Sequence, residues 1–393
     1  MGDRDVVRSA DVVIVGGGVI GASVAWHLAS RGVRNLLVLD RAPSSGSGST
    51  GAATGGFRAQ YATSINVRLS LLSRAKLRAF PDEVGGDPGY LPCGYLWLAD
   101  DDSQLEALRA AREVQHAAGL HEAVAIGTEE IARLQPAVAQ DGLVGGAFCP
   151  TDGFIKPRAI LDGYLAAARR LGVRVTWNES VTGFDLDAAG RIVRVRTAMG
   201  AHPCGSVINA AGAWAGSVAR LAGVDLPVTP VRRHLVPTVP TRAIPEDAPM
   251  TLYCGDGFHF RERDGRVLMG WPEPDPATGS FDTAVDPSWL PRVESFKERR
   301  IPVLRGIPLD RPAAWAGLYE MSPDKHAILG ATAARPNFYF VNGCSGHGVM
   351  HSPALGQLAA ELVTDGRTVT LDASSLAPDR FSAGRALPSS EVL

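Results

Sequence analysis

An α/β fold is predicted, Rossmann-like at its start, with a second α+β lobe that carries a mostly antiparallel sheet. Three observations predict it. The chain opens on an apolar strand, Val12-Val13-Ile14-Val15, a glycine turn, Gly16-Gly17-Gly18-Val19-Ile20-Gly21, and a helical run ending near Gly32; a second strand, 36–39, stops at Asp40. Near the other end a strand at 337–341 enters another glycine-rich turn, Asn342 to Met350, and then a helix. Between them, residues 226–320 turn rich in proline, aromatic residues and β-formers.

The opening segment has the residue types that a dinucleotide requires. Gly16 permits the tight turn, Gly18 lets backbone N–H groups approach a pyrophosphate, and Gly21 lets the helix pack on the strand. Val19 and Ile20 lie in the first helical turn, whose dipole favours phosphate. Asp40, 24 positions beyond Gly16, is placed to accept hydrogen bonds from an adenosine ribose, with Arg41 beside it. A 2′-phosphate would be repelled there, which disfavours NADP. A plain strand-to-helix connection is the bland alternative, but strand, turn, helix, second strand and terminal acid occur here in order.

The run 12–30 has no charged side chain. A signal or membrane segment is rejected because the glycines fall mid-segment, His27 is polar, and Asp3, Arg4, Asp5, Arg8 and Asp11 form a flank of mixed sign.

Length and composition bound the rest. A chain of 393 residues, 45% hydrophobic and 20% charged, is that of a globular enzyme of two or three domains. A net charge of −2 with no basic run gives no support to nucleic-acid or membrane-surface binding. Five scattered cysteines without a CxxC pair argue against a disulfide framework and a structural zinc site, so no metal is expected. The default compartment is the cytoplasm.

After Asp40, residues 41–56 are rich in Gly, Ser and Thr and read either as a flexible linker or as a loop wrapping phosphates and ribose. Helices are expected at 65–80, at 103–119 with Ser103 as its cap, and at 158–171; strands follow at 173–177, 181–186, 192–197 and 206–209. The last strand runs into Ala210-Ala211-Gly212-Ala213-Trp214. Strands at 257–262 and 266–271 and a loop at 271–291 belong to the second lobe. The final helix is expected at 352–365, with Ser352 as cap, Pro353 in its first turn and Gly366 at its end.

With these pieces in order, the chain resembles the FAD-dependent amine and amino-acid oxidoreductases of the D-amino-acid oxidase superfamily. Within it, the sarcosine oxidase β-subunit and dye-linked L-proline dehydrogenase β-subunit group is nearest. The marks are the Gly16–Gly21 fingerprint, Gly48-Ser49-Thr50 with Gly55-Gly56-Phe57-Arg58-Ala59-Gln60-Tyr61, the 209–214 segment, Ala316-Gly317-Leu318-Tyr319 with Ser322-Pro323-Asp324, and Gly343-Cys344-Ser345-Gly346-His347-Gly348-Val349-Met350.

The resemblance implies a discontinuous FAD-binding domain at 1–90, 150–225 and 325–393, and a substrate domain at 91–149 and 226–324. It implies that Gly16, Gly18, Val19, Ile20, Gly21, Asp40, Arg41, Ser49, Thr50, Gly55, Gly56, Ala211, Gly212, Trp214, Gly317, Gly346, His347, Gly348, Val349 and Met350 bind the cofactor. Arg58 falls beside the isoalloxazine; a surface ion pair is its alternative. Amides of Gly346, His347 and Gly348, with a helix N-terminus behind them, would stabilise the electron-rich ring. His347 either contacts substrate or is simply a buried turn histidine.

Departures from the family matter as well. Gly317 stands where monomeric sarcosine oxidases attach the flavin through cysteine, so FAD is expected to be non-covalent. No lysine occurs in 266–270, where those oxidases place the one that speeds reaction with O2, which favours a dehydrogenase with an unidentified acceptor. Tyr319 and Met350 replace the cations that grip a carboxylate in relatives, leaving Arg58, His259, Tyr253 and Tyr319 as candidates. The expected reaction is hydride transfer from a secondary or cyclic amine or amino acid, sarcosine- or proline-like, to flavin N5, giving an imine. Tyr253, His259 and Tyr319 are the expected substrate wall, with ordinary packing as the alternative for each. Rival readings are an electron-relay subunit of a hetero-oligomer, a NAD-dependent dehydrogenase or a flavin hydroxylase; either a homo- or a hetero-oligomer is compatible.

Overall fold

A computed structural model describes residues 9–389. Asp3, Arg4, Asp5 and Arg8 of the mixed-charge flank lie outside the described residues.

Two eight-stranded sheets organise the chain. The first has a parallel core in the order 335–342, 200–209, 10–15, 36–39 and 174–176, and Ile328–Thr332 adds an antiparallel edge to it. Val181–Leu186 and Ile192–Thr197 extend Gly200–Asn209 as an antiparallel meander. The central strand Ala10–Val15 leads to Leu36–Leu39 on one side and lies against Gly200–Asn209 on the other. The strand order therefore reverses there, where open α/β sheets leave a crevice beyond the carboxyl ends of their strands. Asn209 continues into Ala210, whose amide donates to the Val15 carbonyl at 2.8 Å, and the Gly16 amide donates to the Leu39 carbonyl at 2.8 Å.

The uncharged run has a structural reason. Helix Val19–Ser30 is buried from Val19 through Ala29, between the parallel sheet and helices Pro157–Arg170 and Gly348–Asp365. Hydrophobicity on every side is what a central helix needs. The crossing with Gly348–Asp365 is so close that a Cβ on Gly356 would stand 2.1 Å from the Ser23 hydroxyl, which donates to the Ser352 carbonyl at 2.8 Å. No helix among the described residues is long and apolar enough to cross a membrane.

The second sheet runs in the order 315–321, 229–237, 266–270, 259–263, 250–253, 95–99, 145–149 and 124–126. Its neighbours are antiparallel except for the pair Met250–Tyr253 with Tyr95–Ala99. One of its faces packs on Trp289, Val293, Ile301 and Leu304.

Two expected caps are displaced. Helix Asp102–Ala117 is capped by Asp101, whose carboxylate accepts from the Gln104 amide at 2.8 Å, and Ser103 instead donates to that carboxylate at 2.6 Å. The final helix begins at Gly348, so Ser352 and Pro353 lie inside it. Pro353 has no N–H for the Val349 carbonyl, and the Ser352 hydroxyl donates to that carbonyl at 2.8 Å, which relieves the break. Gly366 ends the helix at φ 72°, as expected.

Candidate functional site

A cavity of about 1050 Å³ runs from the carboxyl ends of the parallel strands to one face of the antiparallel sheet. Gly16, Gly18, Val19, Ile20, Asp40, Arg41, Ser49, Thr50, Gly55, Gly56, Ala211, Gly212 and Trp214 line its nucleotide end. Gly21 lies behind the wall: a Cβ there would meet the Gly16 carbonyl at 1.9 Å, so its smallness serves the turn itself.

Helix Val19–Ser30 starts at this cavity with no side-chain cap and no acid in its first turn. The Val19 amide is held by the Thr50 hydroxyl at 3.2 Å and the Gly17 amide by Asp40 Oδ2 at 2.6 Å. Asp40 Oδ1 accepts from the Ala42 amide at 2.7 Å, so the carboxylate braces the turn and keeps lone pairs for a ligand. At the rim the Arg41 guanidinium lies 4.3 Å above the Trp214 ring. Asp40→Ala is expected to weaken FAD binding by about 1–3 kcal/mol, the range for a charge-assisted hydrogen bond. FAD titration of the apoprotein checks this, and unchanged affinity would take Asp40 out of the site.

The Gly/Ser-rich stretch is pinned by the antiparallel sheet. Ser49 donates to the Leu318 carbonyl at 2.6 Å and Trp315 to that of Ala52 at 3.0 Å. Arg261 reaches the Thr54 and Gly55 carbonyls at 3.2 Å, and Arg263 the Ala53 carbonyl at 3.1 Å. A Cβ on Gly317 would lie 2.9 Å from that of Ala52, so the strand and this loop meet closely there.

The second glycine turn enters the same cavity through Gly346, His347, Gly348, Val349 and Met350. Its helix also starts without a side-chain cap or an early acid. One detail corrects the expected set of three amides. The His347 N–H donates to the Cys344 carbonyl at 2.8 Å inside the turn, whereas among the described residues the Gly346 and Gly348 amides have no acceptor. Gly346 (φ 96°) also has Tyr319 against it, since a Cβ would stand 2.4 Å from that ring. Burial, with Arg58 nearby, holds the His347 imidazole well below its usual range and so neutral.

The far end is the face of the antiparallel sheet that carries Tyr319, Gly317, Arg233, Leu235, His259, Leu252, Trp97 and Tyr95. Arg58 lies 4.0 Å above the Tyr61 ring and 5.0 Å from that of Trp97, and it donates to the Gln60 carbonyl at 2.8 Å. Burial pushes the His259 imidazole down, and its Nδ1 lies 2.9 Å from the Gly257 carbonyl. Burial also pushes the Tyr319 phenol up, opposed by Arg233 and Arg58.

Tyr253 corrects the expected wall. It lies outside this cavity, 4% exposed, on the opposite face of its strand, with Arg300 4.2 Å from its ring. Leu252 and Met250 take the cavity side.

Among the cavity-lining residues with no place in the expected site are Trp97, Arg233, Glu320 and Lys325. Burial pushes the Glu320 carboxyl up to about 7. One of its oxygens accepts from the Cys344 amide at 3.3 Å, and the other is buried with no hydrogen-bond partner among the described residues. The only sequence signal for Glu320 was its place directly after Tyr319.

The residues fit a flavin dinucleotide. A Cβ on Gly18 would project toward the cavity and meet only the Thr50 hydroxyl, at 3.5 Å, and one on Gly212 would meet nothing within 4 Å. Two helix N-termini whose own N-cap residues make no side-chain cap thus face a single space large enough for a diphosphate and a ring system. No group of three or more His, Cys, Asp or Glu placed to hold a metal occurs among the described residues.

Known proteins agree with this geometry. The chain is 29% identical to FAD-dependent oxidoreductase domain-containing protein 1 of Xenopus laevis, over 95% of this chain and 82% of that protein. It is 28% identical to glycine oxidase of Geobacillus kaustophilus, over 90% and 92% of the two chains. The crystal structure of L-proline dehydrogenase from P. horikoshii superposes with a TM-score of 0.89 at 27% identity, covering 97% of this chain and 100% of that one. Residues 11–362 match the family described as FAD dependent oxidoreductase, DAO. The chain belongs to this DAO family of FAD-dependent oxidoreductases.

Proposed function

We propose that the protein oxidises the C–N bond of a secondary or cyclic amine or amino acid and passes the electrons to an acceptor other than O2. The observation that carries this reading is the single cavity joining the fingerprint, the Gly346–Gly348 turn and an aromatic, cationic sheet face. When bound, FAD supplies a two-electron acceptor that takes a hydride from the carbon next to an amine nitrogen, leaving an imine.

The chain's own residues prepare the amine. Only the neutral amine has a lone pair to stabilise the developing cation. Tyr61, Tyr95, Trp97 and Tyr319 exclude water, and the Arg58 and Arg233 guanidinium groups disfavour an ammonium beside them, so both effects lower the amine's pKa. The Gly346 and Gly348 amides, backed by the helix N-terminus, are the donors for the ring's electron-rich edge. Residues 1–90, 150–225 and 325–393 then form the cofactor part, and 91–149 and 226–324 the substrate part. With Gly317 at the family's attachment position, FAD is held non-covalently.

The preference for another acceptor rests on the absence of lysine from Arg266–Gly270; Lys325 is the lysine of the cavity wall. The test is anaerobic bleaching of the yellow holoenzyme by L-proline, sarcosine and pyrrolidine, followed by turnover with an artificial dye against O2. Bleaching and far faster turnover with the dye are expected. Failure of every amine to bleach the flavin would sink the amine reading, and equal rates with O2 would remove the dehydrogenase assignment.

A further inference from the structure

We propose that Arg233 anchors the substrate's carboxylate, so that the molecule oxidised is an amino acid with a free acid group rather than a simple amine. This rests on the amine-oxidising reading above and names the substrate class of that same site.

Strand Thr229–Pro237 carries two consecutive arginines that face opposite ways. Arg232 pairs with Asp282 at 2.9 Å and donates to the Ala284 carbonyl at 3.1 Å. Arg233 points into the cavity, where its only hydrogen bond among the described residues is a 3.4 Å contact with the Arg232 carbonyl. No described carboxylate lies within ion-pair distance of it. The Arg261 and Arg263 guanidiniums are taken up by loop carbonyls, and Arg58 by the Gln60 carbonyl and two rings. At the sheet end of the cavity, Arg233 is the guanidinium with neither a carboxylate nor a short hydrogen bond among the described residues.

Its neighbours suit such a role. The cross-strand partner of Arg233 is Gly317, which has no side chain to cover it. Tyr319, two register pairs along and so on the same face, has its ring centre 5.8 Å from the guanidinium carbon. His259 stands on the other side, two strands over, close enough for Arg233 to depress its pKa further. Burial also lowers the pKa of Arg233 itself, with Tyr319 and Glu273 acting the other way.

The other acids of the cavity wall make no ion pair with Arg233. Asp40 holds the Gly17 and Ala42 amides, Glu179 pairs with His202 at 2.6 Å, and Glu320 is buried against Cys344. A half-buried guanidinium presented to a ligand site without its own acid is a fork for a carboxylate. An amino acid held there places its amine among the aromatic rings, opposite the Gly346–Gly348 turn.

The test uses the holoenzyme and its Arg233→Met and Arg233→Lys variants. Tetrahydro-2-furoate, a carboxylate with no amine, is titrated while the flavin spectrum is followed, and kcat and KM are measured for L-proline and pyrrolidine. Wild type is expected to prefer L-proline strongly. Arg233→Met is expected to raise the furoate Kd and the L-proline KM by about ten- to a hundredfold and so to erode the preference for L-proline over pyrrolidine, and Arg233→Lys to recover part of the loss. Furoate binding unchanged in Arg233→Met, or wild-type turnover of pyrrolidine equal to that of L-proline, would overturn the proposal while leaving amine oxidation standing. If no amine bleaches the flavin, the amine reading fails, and the furoate titration alone still decides whether Arg233 holds a carboxylate.

Discussion

Gly16→Ala is expected to yield protein without flavin and with greatly reduced stability. Gly16 has φ 110°, a conformation that side chains other than glycine rarely adopt, and a Cβ would stand 2.3 Å from the Ala210 carbonyl. That carbonyl cannot move freely, because the Ala210 amide is bonded to Val15 and its strand pairs with Ala10–Val15. Backbone strain of about 1–3 kcal/mol and an overpacking cost of similar size add at one residue, so a loss of roughly 2–6 kcal/mol is expected. The displaced turn also carries the Gly17 amide and the helix start, so the diphosphate seat is lost with it. Absorbance of the purified protein and FAD titration of the apoprotein check this. Yellow protein with wild-type melting behaviour would show that the turn tolerates the methyl group and would undo the account of the fingerprint.

Arg380→Ala is expected to cost about 3–5 kcal/mol, because it leaves a buried carboxylate without its counter-charge. Asp324 and Arg380 are 3% and 2% exposed, and the guanidinium meets both carboxylate oxygens, at 2.8 and 2.9 Å. The same carboxylate accepts from the Leu387 and His326 amides at 3.0 and 3.2 Å, tying the C-terminal segment to the wall that carries Lys325 and His326.

Burial raises the Asp324 pKa, but the bonds from Arg380 and the backbone outweigh it and hold the group at about 2. A depressed carboxylate contributes stability that is fully present above its unfolded pKa, about 3.9, and is lost as pH falls through about 2. In Arg380→Ala burial acts unopposed by the guanidinium, so protonation relieves the fault. The stability gap to wild type is therefore expected to be widest near pH 7 and to narrow in mild acid. Denaturant unfolding at pH 7 and 4.5 measures it, and a gap independent of pH would show that the ion pair is not its source.

Local patterning carried much of this fold. The strands at 181–186 and 192–197 and the helices near 65–80 and 158–171 follow from period and stop residues within one stretch of chain. The caps shifted because several good cap residues stood side by side: Asp101 took the role of Ser103 as soon as its carboxylate reached the Gln104 amide. Likewise Pro353 suits a first turn, but a hydroxyl one residue earlier lets a helix continue through it.

By itself the sequence determined the strand, glycine turn, helix and acid of the first βαβ unit, because each of those demands is met by residues adjacent in the chain. It also determined the glycine-rich turn that opens the last long helix, for the same reason. Only the tertiary structure decided that residues 41–56 are a pinned wall rather than a linker, since the bonds that hold them come from Arg261, Arg263, Trp315 and Leu318, more than two hundred positions away. It alone decided that Arg233 and Glu320 line the cavity and that Tyr253 does not. Alternation along a strand separates two sets of side chains without saying which set meets the core. That choice is made by the register of strands distant in sequence, and a shift of one residue reverses it.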